Sequence, residues 1–582
     1  MTRPSGRALR VLAVNVASRA SADPVAAALL ATRLLPSGMR TRVLPLVGRV
    51  SAVPVAAAGA RWESGDRAAA LELLASVQGN GRRRRAASLA LALDRPDVAA
   101  TLVARLPVGS PATPRLAALV DARTGHLCAA VGALAVAAAR RPRERRTARA
   151  SRRLAGELAT LSVPGPVAGQ IRRLPADRPV PGRVLHLVTN ALPDKAGGYT
   201  VRTQLIARAQ QAVGLDPHLV TRFGFPVAQG RFGAPVDVDV DGVPVHHLLP
   251  SGPVPSTADE VLRRGVDAAD ALVARLRPAV LHAATNHLNG QVALALRERH
   301  GLPVVYEVRG FLEETWVSRW GDAALATDQY RLNRESETRC MLSADRVVTL
   351  SSVMRDEIVS RGVPADRVVV VPNGVEEAML APAHDAGALR AALGVGPDEV
   401  LLGAVTSAVA YEGLSDLLTA TVLLRERGLP VRALVVGDGP ELAGLRRSEA
   451  AAVGAALLPG RVPHAEVRRH LAALDVVVLP RTDSRVCRLV TPLKPYEAMA
   501  AGLPVVASRL PALAEVVQDG VTGLLAPPSD PSGLADVLAP LVADPARRRE
   551  LGSAGREWVR AHATWSRHAQ AYRQLYAELG AV

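Results

Sequence analysis

The chain has 582 residues, 49% of them apolar and 21% charged. That length is too great for one ordinary domain, and that balance excludes a disordered or fibrous protein. The formal net charge is +17, and its placement is uneven: residues 1–180 hold 29 Arg, no Lys and 10 acidic residues, whereas the rest is close to neutral. A basic surface of this kind suits a peripheral contact with an anionic membrane or an acidic protein partner. Nucleic acid fits poorly, because the region has almost no aromatic side chains for stacking bases. No apolar run reaches the roughly 18 residues of a membrane span. The best candidate, Leu127 to Ala139, reads as a buried helix. Three dispersed cysteines, Cys128, Cys340 and Cys487, form neither a disulfide framework nor a metal cluster. They indicate a reducing, cytoplasmic setting, with a peripheral position at the inner face of a membrane as the extension of the charge reading.

Residues 1–180 read as helical. Turns at Gly65-Asp66, Pro96-Asp97 and Gly125-His126 recur at about 30 residues, the period of stacked helical hairpins. An irregular Ala-rich bundle fits the same residues. The Pro-rich stretch Pro164 to Pro181 marks a linker.

From Arg183 the pattern changes to alternating strands and helices. Short apolar runs predict strands at Val184–Val188, Pro217–Thr221, Ala279–Ala283, Pro303–Val308, Arg346–Leu350 and Arg367–Val371. A second series follows at Leu401–Val405, Arg432–Val436, Ala455–Leu458, Val476–Leu479 and Pro504–Ser508. Two doubly wound α/β domains facing each other across a cleft would result, with ligands outside the carboxyl ends of the strands. The predicted division is 1–180 helical domain and linker, 181–385 first Rossmann-like domain, 386–555 second, and 556–582 a helix crossing back to the first. The aromatics Trp558, Trp565, Tyr572 and Tyr576 are the anchors for that crossing.

Chemistry concentrates in a few loops. Lys195 and Lys494 are the only two lysines in the chain. A lysine retained among so many arginines points to a site needing a compact ammonium group. Gly197 and Gly198 precede a predicted helix, where a backbone can approach a phosphate or sugar. Val436-Gly437-Asp438-Gly439-Pro440 lacks the third glycine of a dinucleotide fingerprint. The stretch Val490 to Ser508 contains Lys494, placed for a diphosphate, and Glu497, placed for a ribose diol. Asp237-Val238-Asp239 reads as one face of a hairpin turning at Asp241-Gly242 rather than as a metal site.

The runs Val371-Pro372-Asn373-Gly374-Val375, Val436 to Pro440, Gly460-Arg461-Val462-Pro463 and Lys494 to Ser508, in that order, resemble the retaining glycosyltransferases of family 4. So do Arg183–Tyr199 and Tyr306-Glu307-Val308-Arg309-Gly310. The resemblance spans residues 183–580. It implies a GT-B fold and transfer of a sugar from a nucleotide-diphosphate sugar to a cell-surface glycan or lipid-linked acceptor, as in exopolysaccharide synthesis, without a metal or further cofactor. It implies Lys494, Glu497 and Arg309 as catalytic residues, Arg481 beside them at the leaving diphosphate, and Gly197, Gly198, Asn373, Gly437, Gly460 and Arg461 as donor-binding residues. Three positions depart from the family pattern. Leu489 stands at the first glutamate of the Glu-x7-Glu motif, Arg309 at a frequent histidine, and Ser407 to Gly413 lacks the usual Arg and Lys. A helical-repeat adaptor with an impaired glycosyltransferase-like half is the alternative these departures raise.

Overall fold

The computed structural model describes residues 54–63, 66–162, 179–231, 233–381 and 386–582. The linker expected at Pro164 to Pro181 falls almost entirely outside them. Helices Pro54–Glu63, Arg67–Ala75, Asn80–Ala92, Pro96–Ala104, Ala112–Arg123, Leu127–Arg140 and Arg145–Ser162 form the amino-terminal part. Three pairs, Pro54–Glu63 with Arg67–Ala75, Asn80–Ala92 with Pro96–Ala104 and Ala112–Arg123 with Leu127–Arg140, pack across the turns read from sequence, and Arg145–Ser162 packs on Leu127–Arg140. Local chemistry starts these helices: the Asp66 carboxylate accepts the Ala69 N–H at 3.4 Å, and Pro96 occupies the first turn of its helix with Asp97 after it. Leu74, Leu89, Leu102 and Leu116 close the core between the pairs. Each fully buried leucine stabilises this layer by about 1.5–3 kcal/mol.

Helix Leu127–Arg140 departs from the buried helix expected there. It buries only Leu127, Ala130 and Leu134, because neighbours cover it on one side alone. Its amino terminus lacks a cap of its own. The Asp328 carboxylate, from the sheet domain, accepts the Leu127 N–H at 2.8 Å and the Cys128 N–H as well. Leu332 shares a core with Leu127, Leu134, Leu154 and Leu161. Gln291 donates to the Thr160 carbonyl at 2.8 Å, and Arg339 donates to that of Leu161. A side chain at Gly156 would meet the Asp259 carboxylate at 2.2 Å. The helical part is thus seated on the first sheet domain by a shared core and buried hydrogen bonds.

That domain carries eight strands: β1 (Arg183–Val188), β2 (Asp216–Thr221), β3 (Asp237–Val240), β4 (Val243–His247), β5 (Val280–Ala284), β6 (Val304–Val308), β7 (Arg346–Thr349) and β8 (Val368–Val370). Their order is β3-β4-β2-β1-β5-β6-β7-β8. All neighbours are parallel except β3 and β4. β1, β5 and β6 are almost entirely buried, which is why they read as unbroken apolar runs. The Asp237–Asp239 run forms the hairpin expected, with left-handed Asp241 (φ 50°) and Gly242 (φ 81°) at its turn.

The second sheet contains β9 (Val400–Val405), β10 (Val431–Val436), β11 (Ala456–Gly460), β12 (Val476–Leu479), β13 (Val505–Ser508) and β14 (Gly523–Ala526), in the order β11-β10-β9-β12-β13-β14. In each sheet the chain winds outward and then returns beside its first strand, giving switch points between β1 and β5 and between β9 and β12. Two segments join the domains. The outgoing Asn373–Val375 and the returning Ala563–Trp565 pair with each other: Val375 N–H to Ala563 O at 2.9 Å and Trp565 N–H to Val375 O at 3.0 Å. Helix Pro545–His562 stays on the second domain, where Trp558 lies 6.4 Å from the Tyr496 ring. Helix Trp565–Glu578 lies on the first domain, its Trp565, Tyr572 and Tyr576 packed with Val184, Ile206 and Val280.

Candidate functional site

At the switch point of the second sheet, three charged side chains converge. Glu412 closes the loop after β9, Arg481 follows β12, and Lys494 opens helix Lys494–Ala500. The Glu412 carboxylate accepts from Arg481 at 2.8 Å, from Lys494 at 3.0 Å and from the Thr406 hydroxyl at 3.1 Å. Glycine makes the loop possible: Gly413 is left-handed (φ 63°), and a Cβ there would lie 1.8 Å from the Pro480 carbonyl. Burial opposes ionisation of Glu412, but Lys494 and Arg481 outweigh it and hold its pKa at about 2. Burial also pulls the Lys494 ammonium below the ordinary lysine value, with Glu412 working against that. The cluster carries two positive charges against one negative, at the place where an α/β sheet binds its ligand.

The donor-binding residues read from sequence do not all gather at this cluster. Gly437 lies beside this cluster, and Gly460 is joined to Gly437. The Gly460 carbonyl accepts the Gly437 N–H at 2.9 Å, and a Cβ at Gly437 would lie 1.8 Å from the Thr406 carbonyl. Gly437 therefore lets β10 approach the loop that carries Glu412. Glu497 is half-buried on the helix of Lys494, and Arg461 is exposed beside Gly460. Gly197 and Gly198 are exposed at the start of helix Gly198–Ala212 with open space where a Cβ would stand.

Arg309 and Asn373 belong to a second, fully buried network in the first domain. Glu307 accepts from Arg309 at 2.6 Å, Arg202 at 2.8 Å and Tyr572 at 3.1 Å, and meets His282 at 3.1 Å. Arg202 also donates to the Asn373 side chain at 2.7 Å, and Asn373 donates to the Thr491 carbonyl of the second domain at 3.0 Å. Burial works against the Glu307 charge, but Arg309 and Arg202 hold its carboxyl well below the usual range. Arg309 thus spends its guanidinium on Glu307, Thr203 and the Tyr199 carbonyl.

The two domains meet across the cleft through Arg485, which reaches Glu314 at 2.9 Å and Glu357 at 2.8 Å. Glu515 accepts the Ser352 and Val353 N–H groups at 3.0 and 2.7 Å. Leu489 packs into the apolar core of the first domain. Glu412, Glu307 and Arg202 were not among the residues singled out in the sequence. One signal pointed to Glu412: a glutamate in the loop that lacks the family's lysine, in a chain with only one lysine near the second sheet.

Residues 197–374 match the family described as glycosyl transferase 4-like domain, and residues 398–544 match glycosyl transferases group 1. Among curated relatives, D-inositol 3-phosphate glycosyltransferase of Actinosynnema mirum is 30% identical over 406 residues, 66% of this chain and 92% of that protein. Alpha-maltose-1-phosphate synthase of Mycolicibacterium smegmatis is 30% identical over 43% of this chain and 68% of that one. Among solved structures, sucrose-phosphate synthase of Thermosynechococcus elongatus superposes with a TM-score of 0.55 at 24% identity, covering 69% of this chain and 99% of that one. The starch synthase IV catalytic domain of Arabidopsis thaliana, bound to ADP and acarbose, gives a TM-score of 0.52 at 16% identity, covering 68% and 99%. These structures share the GT-B arrangement of two Rossmann-like domains. With both halves matched in order and a 30% identical relative covered over nine-tenths of its length, the chain belongs to the group 1 glycosyltransferases.

Proposed function

We propose that the protein transfers a sugar, with retention, from a nucleoside diphosphate sugar to a glycan or lipid-linked acceptor of the cell surface, as in exopolysaccharide synthesis. The cation pair around Glu412 carries this reading. As the glycosidic bond breaks, negative charge gathers on the leaving diphosphate. Lys494 and Arg481, held in place before the reaction, offset that charge without reorganisation. Glu497, on the helix of Lys494, is suited to the ribose diol. Leu489 offers no carboxylate, and the front-face route to retention needs none. The donor is a co-substrate, and no metal or other cofactor enters the proposal.

Calorimetry with UDP, GDP and ADP, and hydrolysis of the corresponding sugars, tests the reading. Lys494→Ala should weaken nucleoside diphosphate binding through the phosphates and Glu497→Ala through the ribose. Unchanged affinity in both variants would remove the assignment. The packing of Leu489 into the first domain's core favours a second reading, an adaptor whose glycosyltransferase half is impaired. A wild-type chain that binds none of the three diphosphates would decide for it.

A further inference from the structure

We infer that the helical hairpin Leu127–Arg140 and Arg145–Ser162 is a docking face for an anionic lipid bilayer. The first helix carries no charged side chain from Leu127 to Ala139. Helices at a protein surface place polar residues outward. This one turns Ala129, Gly132, Ala133, Ala135, Val136 and Ala139 to solvent, with Val136 53% exposed. Its 14 residues extend about 21 Å. Single exposed apolar residues are ordinary, but a continuous uncharged face marks an interaction surface.

Charge then selects the partner. The tip of the hairpin exposes Arg140, Arg141, Arg143, Arg145 and Arg146, and the second helix exposes Arg152 and Arg153. Against them stand two acidic residues of the hairpin, Glu144 and Glu157. The two helices pack on each other, and Arg140 and Arg141 continue directly from the uncharged face at the tip of the hairpin. An apolar face that runs into arginines suits the boundary between headgroups and acyl chains, where guanidinium groups meet lipid phosphates. A nucleic acid would leave the apolar face unused, and neither helix bears an aromatic ring to stack a base. The Asp328 carboxylate at the start of the first helix and the Gln291 and Arg339 bonds at the end of the second fix this face to the first sheet domain. A bilayer beneath it would therefore stand at a set orientation to the cleft.

The test is co-sedimentation of the full chain with vesicles of phosphatidylcholine alone or with about 30 mol% phosphatidylglycerol. Binding should require the anionic lipid and fall steeply with salt. The Arg145→Glu, Arg146→Glu, Arg152→Glu, Arg153→Glu variant should lose binding by more than about tenfold. Its circular dichroism and nucleoside diphosphate affinity should stay unchanged. Val136→Asp, a substitution at an exposed site, provides a second variant and should weaken binding without a change in charge elsewhere. Wild-type protein that ignores the anionic vesicles would overturn the inference. So would variants that bind like wild type, which would move the contact to another part of the chain. Capture of duplex DNA or an acidic polypeptide without vesicle binding would overturn it as well.

Discussion

Glu412→Gln separates the two roles of the cation cluster. The substitution keeps the size of the side chain but leaves Arg481 and Lys494 facing each other without an anion. The Glu412 carboxyl sits at about 2, against 4.5 for a free glutamate. That displacement corresponds to about 3 kcal/mol of native-state stabilisation at neutral pH. The Lys494 side chain is 25% exposed, so solvent screens part of its share and we expect a loss of about 2–3 kcal/mol. A bound diphosphate supplies the missing anion. The same variant should therefore bind UDP, GDP or ADP about tenfold more tightly, because Lys494 no longer divides itself between ligand and Glu412. Denaturant titration measures the first effect and calorimetry the second. In the double variant Glu412→Gln, Lys494→Met the repulsion disappears, so stability should partly return while the gain in affinity is lost. A Glu412→Gln protein with unchanged stability and unchanged diphosphate affinity would refute the reasoning.

Glu307→Gln should cost about 3–5 kcal/mol, because Arg202 and Arg309 would remain buried without their carboxylate; unaltered hydrogen-exchange protection of β6 and of helix Trp565–Glu578 would contradict this. His186 is held neutral, its pKa pushed down to about 3 by burial and by the neighbouring His282. The unfolded chain takes up that proton near pH 6.5, so stability should decline between about pH 6.5 and pH 3 as the medium is acidified. His186→Gln should flatten that decline, and an identical slope in the variant would exclude His186 as its source. Leu489→Glu places a carboxylate in the first domain's core, and small-angle scattering should report a wider cleft or denaturation a loss of several kcal/mol; neither change would show that Leu489 does not hold the domains together.

The strands of both sheets were legible where they are central and parallel, because burial on both faces forces continuous apolar runs. The strand left unread lies at the edge of the second sheet. β14, Gly523–Ala526, is four residues long and starts on a glycine whose Cβ would meet the Val505 carbonyl at 2.4 Å. Its pairing depends on close backbone approach, and Leu524–Ala526 is too short an apolar run to stand out. β4 is the far arm of the hairpin expected at Asp241-Gly242; its His246 and His247 are polar yet buried through partners supplied by Asp237 and the Pro235 carbonyl. The carboxyl-terminal aromatics were read as one anchoring segment from Arg556. They divide at Ala563–Thr564, where the chain passes between domains, and Trp558 remains with the second. Lys494 was legible because lysine is so rare in this chain. Glu412 was not, since its meaning lies in two cations that are 69 and 82 residues away in sequence.

The two buried networks also explain where the molecule can bend. Where the chain crosses between the domains, the outgoing and returning segments are paired by backbone hydrogen bonds. Arg202 binds the Val371 and Pro372 carbonyls and the Asn373 side chain at once, while lying 5.1 Å from the ring of Trp565. Its charge is balanced by Glu307, which is wholly enclosed, so water has no access to replace any of these bonds. At the cleft the contacts are of another kind. Arg485 is 44% exposed where it meets Glu314 and Glu357, and the Glu515 contact with Ser352 is exposed. Partly solvated ion pairs exchange readily with water and are screened by salt. Separating the domains at the cleft would break ion pairs that solvent can replace and would withdraw Leu489 from the first domain's core, while the paired segments keep their bonds. Asn373, bonded to Arg202 on one side and to the Thr491 carbonyl on the other, ties this buried crossing to both domains.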